Sequence, residues 1–171
     1  AAFNITTHLL AQGHQQLAFL CGDEAHQSNG ERLAGFKAAL QQHHIPLPDT
    51  YIVPGTFSFE SGITGVKQLL ALPQKPTAIF ACNDEIAAGA LFGARLQQIS
   101  IPEQLAIAGF ENSPFSRQTW PPLTTANQPN KLIARLAAEL LFKLTKSPQQ
   151  ANNKSPLFVP ELLIRESTCI S

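Results

Sequence analysis

The chain has 171 residues, 44% hydrophobic and 14% charged, with 12 Lys plus Arg balanced by 12 Asp plus Glu. This composition suits one domain with a sizeable core and excludes a disordered chain. A formal net charge of zero supplies no basic surface for nucleic acid or an anionic membrane.

In chain order, a helix is expected first, over about Ile5 to Gln12, followed by an apolar strand, Leu17-Ala-Phe-Leu-Cys21. A second helix runs from about Glu31 to His43, with Leu33, Phe36 and Leu40 at helical spacing. Ser28-Asn-Gly-Glu31 fits an S-x-x-E capping box at its start. A short strand, Tyr51-Ile-Val53, leads to a helix from about Phe59 to Leu72 that buries Ile63, Val66, Leu69 and Leu70 and stops at Pro73.

The strand Thr77–Cys82 precedes a helix from about Asp84 to Gln98, whose Ala and Gly residues permit close contact with a sheet. The strand Leu105–Ala108 ends at Gly109-Phe110-Glu111-Asn112, and a polar, Pro-rich loop connects it to another short strand, Leu123–Ala126. A last helix spans about Lys131 to Thr145, Lys146 to Ser155 reads as a surface loop, and Leu162–Ile164 closes the pattern as a strand.

Most of these strands do not alternate polar with apolar residues, as expected for strands buried on both faces. Strands alternating with helices predict an α/β fold: a doubly wound, mostly parallel sheet with helices on both faces. Two helices fit less well. The first precedes any strand, and the last is apolar over much of its circumference, so both are expected to pack on something outside the chain.

Cys21, Cys82 and Cys169 are odd in number and show no C-x-x-C spacing. They read as structural thiols in a reducing compartment, neither a disulfide framework nor a zinc site. The five His residues have no metal-ligand spacing, and G-x-S-x-G, G-x-G-x-x-G and G-x-x-x-x-G-K-[ST] do not occur. No catalytic activity and no cofactor or metal is therefore expected. No signal peptide or apolar run of transmembrane length is seen. Met is absent altogether, which suggests a fragment of a longer protein.

Polar groups fall at the ends of predicted strands: Gly22-Asp23, Asn83-Asp84 and Glu111-Asn112. In a parallel sheet these ends share one edge and can converge on one cleft. Asn offers donors and an acceptor and a carboxylate accepts only, a mixture suited to a polyhydroxylated ligand. Phe57 or Trp120 could cover the apolar face of a sugar or stack on a base. Plainer roles exist for each. Asn83 has the position of an N-cap, Asp84 of a first-turn acid, Ser28 of a cap, Arg32 of a solvated helix charge and Trp120 of a loop-packing residue.

Several segments together resemble the effector domains of the LacI/GalR transcription regulators. These are LLAQGHQQLAFLCG (Leu9–Gly22), ERLAGFKAAL (Glu31–Leu40), GTFSFESG (Gly55–Gly62), PTAIFACNDEIAAGAL (Pro76–Leu91), GFENSPFSRQTWPPLTTANQP (Gly109–Pro129) and PELLIREST (Pro160–Thr168). The resemblance implies a fold of periplasmic-binding-protein type and a small effector held between two subdomains. Most simply that effector is a sugar, with a nucleoside or purine as the alternative.

By motif match, Arg32 and Asn83 would bind the ligand. Glu111 would stand where the family usually has Asp, Phe57 would pack on the ligand, Gln128 would sit at the cleft hinge, and Ser28 and Trp120 would lie at the rim. The resemblance also implies a cytoplasmic homodimer with no membrane contact. Operator DNA would be reached only through an N-terminal helix-turn-helix that this chain lacks. About 17–128 and 157–171 would form the C-terminal subdomain, with 1–16 and 129–156 belonging to an incomplete N-terminal one. A periplasmic sugar-binding protein of a transport system is the alternative.

Overall fold

Four short apolar segments form one parallel sheet: β1 (Leu17–Leu20), β2 (Ile52–Val53), β3 (Ala78–Ala81) and β4 (Ala106–Ala108), in the order β2-β1-β3-β4. In the computed structural model, which describes residues 1–146 and 158–169, every residue of β1, β3 and β4 is buried. That explains why these strands read as continuous apolar runs. Phe19 pairs with Ile52 on one side and with Phe80 on the other.

Helices fill the connections: α1 (Ala2–Ala11), α2 (Gln27–Gln42), α3 (Phe59–Leu70) and α4 (Asp84–Leu96). The winding direction reverses between β1 and β3, so right-handed crossovers put α2 on one face and α3 and α4 on the other. The aromatic centre of the core joins β1, β3 and α2. Phe19 lies 5.3 Å from Phe36 and 5.2 Å, edge-on, from Phe80. On the other face α3 and α4 cross at glycine. A Cβ on Gly62 would overlap the carbonyl of Ile86, and one on Gly89 would overlap the carbonyl of Phe59.

Several expectations need correction. The second helix begins at Gln27 rather than near Glu31, with His26 as N-cap and no side-chain cap. The capping box at Ser28 therefore does not form, and Glu31 instead accepts from Gln27 Nε2 at 2.6 Å. α1 does not present an unsatisfied apolar face, because Ile5 and Leu9 are fully buried and the helix packs on α2.

The Pro-rich loop contains a further short helix, α5 (Phe115–Gln118). β5 (Thr125–Asn127) pairs antiparallel with β6 (Glu161–Leu163) and touches the end of β4 through isolated bridges, Ala108 to Thr124 and Glu111 to Asn127. α6 (Asn130–Lys146) follows with no buried residue, and Leu140, Leu141 and Phe142 stand exposed. The surface loop expected from Lys146 to Ser155 lies, beyond Lys146, outside the described residues.

Candidate ligand-binding site

The reversal of winding opens a crevice at the carboxyl ends of β1 and β3, where open α/β sheets bind ligands. Arg32 reaches this crevice from α2. Its Nη1 donates to the carbonyl of Cys82, just past β3, at 2.7 Å. Nη1 and Nη2 both donate to Glu111 Oε1 at 3.1 Å. Its guanidinium carbon lies 4.1 Å from the centroid of the Phe110 ring, a cation–π contact. The Arg32 side chain is only 9% exposed, whereas that of Glu111 is 35% exposed. Arg32 is thus not a solvated helix charge.

Beside this pair is a cleft of about 310 Å³, with Ser28, Arg32, Phe110, Gln128, Phe158 and Pro160 in its wall. Of the expected site residues, Ser28, Arg32 and Gln128 share this wall, and Glu111 is joined to them through Arg32. Phe110, Phe158 and Pro160 were not singled out from sequence. Phe110 could have been found, since it stands between Gly109 and Glu111 in the strand-end motif.

Asn83 is the N-cap of α4, its Oδ1 accepting from the Ile86 backbone at 2.9 Å. Its Nδ2 has no hydrogen-bond partner among the described residues, so capping and ligand contact are compatible roles for one side chain. Phe57 lies outside the wall of this cleft and covers the loop after β1. A Cβ on Gly22 would overlap its ring, and its edge meets His26 at 5.3 Å. Asn29 secures the same loop, its Oδ1 accepting from the Gly22 backbone at 2.9 Å. Trp120 must be corrected. It is 73% exposed and lies with Arg95, Ile101 and Pro102, against the segment that enters β4 and away from Arg32.

The loop that carries Glu111 is held from below. Asp84 is fully buried and accepts from the Ser113 backbone and the Thr125 hydroxyl, both at 2.6 Å. Burial raises its carboxyl above the ordinary range, and these hydrogen bonds offset part of the rise. Arg165 Nη2 donates to Asn112 Oδ1 at 2.7 Å, and Asn112 Nδ2 donates to Asn127 Oδ1 at 3.0 Å. So braced, Glu111 holds φ at 109° and Asn112 at 53°. The value at Glu111 is strained for a residue with a Cβ, as is common in ligand-contacting loops.

Among the described residues no group of three or more His, Cys, Asp or Glu side chains could hold a metal ion, and no helix is long and apolar enough to cross a membrane.

Comparison with known proteins agrees with this fold. Residues 6–168 match the model of the periplasmic binding protein-like domain. The chain is 40% identical over 168 residues to the HTH-type transcriptional repressor CytR of Escherichia coli (strain K12), covering 98% of this chain and 49% of the relative. Its fold matches a regulatory protein of the LacI family from Chloroflexus aggregans with a TM-score of 0.91 at 32% identity, over 98% of this chain and 60% of that one. It also matches the transcriptional regulator CelR in complex with cellobiose, with a TM-score of 0.84 at 28% identity, over 95% of this chain and 49% of that one. The chain thus spans about half the length of the curated relatives it matches. Those relatives are repressors and regulators, not enzymes, which does not favour the transport reading.

Proposed function

The chain belongs to the periplasmic binding protein-like domain family, in the branch of the LacI-type regulators, and on that premise we propose that it senses the effector of a transcription repressor. The observation that carries the reading is the convergence of Arg32, Ser28 and Gln128 on one cleft beside the β1–β3 crevice, with Glu111 paired to Arg32 next to it. Arg32, Glu111, Asn83, Ser28 and Gln128 contact a sugar-like effector, and Phe57 shields it. Trp120 is dropped from this set.

In the whole protein the effector bridges two subdomains. Residues 17–128 and 157–171 belong to one and 129–156, with the exposed apolar side of α6, to the other; 1–16, also expected in the other, pack on α2 through α1. The effector acts through its different affinity for the DNA-binding and released states. DNA contact belongs to a segment outside this chain.

The regulator works as a homodimer. Its contact face is supported by Phe92, Leu96, Phe115 and Trp120, which are large, apolar and exposed on α4, on α5 and in the loop after it. Its free thiols, two of them buried, suit the cytoplasm.

The test is fluorescence anisotropy of the full-length protein on DNA from its own control region, with a panel of sugars and nucleosides. One compound should change DNA affinity, and Arg32→Ala should abolish that response while leaving ligand-free DNA binding intact. A protein that binds no DNA, or whose response survives Arg32→Ala, would overturn the regulator or the site, respectively.

A further inference from the structure

A second cavity lies apart from the effector cleft. Arg117 of α5 and Arg165, which follows β6, line it together with Pro122, Ile164, Glu166 and Cys169, around about 550 Å³. None of these residues belongs to the wall beside Arg32. Two arginines against one glutamate leave this wall net positive.

Neither arginine forms an ion pair among the described residues. Arg165 is committed on its inner side. Its Nη1 donates to the Leu123 carbonyl at 2.7 Å and to that of Ser116 at 3.5 Å, and its Nη2 donates to Asn112 Oδ1 at 2.7 Å. All three acceptors are neutral, so they hold the group without cancelling its charge. One hydrogen on Nη2 and one on Nε remain for a ligand. The side chain of Arg117 is exposed and donates to no protein group among the described residues.

The two cations act on each other. Burial lowers the Arg165 guanidinium from its ordinary value and Arg117 lowers it further, while Asp84 and Glu166 oppose the fall. Holding like charges together costs Coulomb energy, which an oxyanion between them offsets. Each planar fork can meet such an anion at two points.

We propose that this cavity is a second ligand site, for a small molecule whose phosphate or carboxylate group bridges Arg117 and Arg165 while Pro122 and Ile164 cover its less polar part. The site does not depend on the effector reading. Its anion would meet the same Arg165 that holds Asn112, the neighbour of Glu111.

The experiment is thermal unfolding of the full-length protein in inorganic phosphate, or in acetate, against chloride at equal ionic strength. Arg117→Gln removes no protein hydrogen bond among the described residues and should fold as the wild type does. At saturation, phosphate or acetate should raise the wild-type midpoint by about 2 °C or more beyond any gain in Arg117→Gln. Comparing the two proteins cancels the general stabilising effect of excluded salts. Whichever anion gives the larger difference identifies the head group. Arg32→Gln should keep the full gain. Equal midpoints in wild type and Arg117→Gln with both anions would overturn the proposal. A gain lost in Arg32→Gln but kept in Arg117→Gln would also overturn it, by moving the anion to the effector cleft.

Discussion

Arg32 rests its guanidinium on the ring of Phe110, 4.1 Å from the centroid, so a residue of α2 is clamped to the end of β4. The long stem buries apolar surface while the head stays polar. Face, edge and charge of the guanidinium each have a protein partner before any ligand arrives. That preorganisation lowers the ordering cost of binding.

Removing this clamp should show in binding. Arg32→Ala in the full-length protein leaves buried ligand hydroxyls and the Cys82 carbonyl unpartnered. Effector affinity, measured by calorimetry, should fall more than tenfold, about 1.4 kcal/mol or more. Unchanged affinity would remove Arg32 from the site.

Asp84 should make stability depend on pH. Its folded-state carboxyl titrates above the ordinary value of 3.8 because of burial, so the folded state holds a proton more tightly than the unfolded one. Stability is therefore greatest where both states are protonated. It falls as pH rises from 3.8 to the raised folded value, then levels off. Asp84→Asn removes this titration, and its amide can accept from Ser113 and donate to Thr125. Urea unfolding across that window should show the wild type losing stability relative to the variant. A pH-independent difference would refute the shift.

Glycine substitutions should split by environment. Gly62→Ala or Gly89→Ala drives a methyl into the backbone of the facing helix and should cost about 1–3 kcal/mol. Gly30→Ala, inside α2 with nothing within 4 Å of the new methyl, should stabilise by about 0.5–1 kcal/mol. Just past the C-caps of α2 and α4, His44 and Gln98 have φ of 57° and 61°, where α1 is followed by Gly13 at 93°. His44→Gly and Gln98→Gly should each stabilise by about 0.5–1 kcal/mol. Thermal unfolding of the five variants separates the two expected losses from the three expected gains.

The thiols should differ in reactivity. Burial, then the neighbouring Cys82, pushes the Cys21 thiol up to about 11, and burial raises Cys82 as well. Iodoacetamide at mildly alkaline pH should alkylate the half-buried Cys169 first and reach the other two only on denaturation. Mass spectrometry of the native protein reads this directly, and early labelling of Cys21 would contradict the packing of β1.

The sheet was legible because strands buried on both faces leave uninterrupted apolar runs, and those runs locate β1, β3 and β4 closely. The helix bounds were less so. Ser28 and Glu31 mimic a capping box, yet α2 starts at Gln27, because Asn29 is drawn inward to the backbone of Gly22 and carries the first turn with it. Arg32 could be named only through the family resemblance, and Glu111 through that resemblance and its place at a strand end. Their mutual ion pair could not, since it depends on how far two side chains 79 positions apart reach across the sheet. Trp120 was misplaced because its loop doubles back through α5, which no local periodicity announces. Asp84 looked like an ordinary first-turn acid, and its partners Ser113 and Thr125 lie beyond any sequence window.

Strand β5 carries one more implication. The backbone of Gly109 donates to Thr124 at 2.8 Å and that of Glu111 to Ala126 at 2.9 Å, and Thr125 is pinned to Asp84 at 2.6 Å. The arc that presents Glu111 is thus riveted to the strand leading to Gln128 and out into α6. A ligand that tugs Glu111 by a fraction of an ångström cannot move it alone. The displacement is handed to the exit strand, and pocket and outgoing chain behave as two ends of one rod.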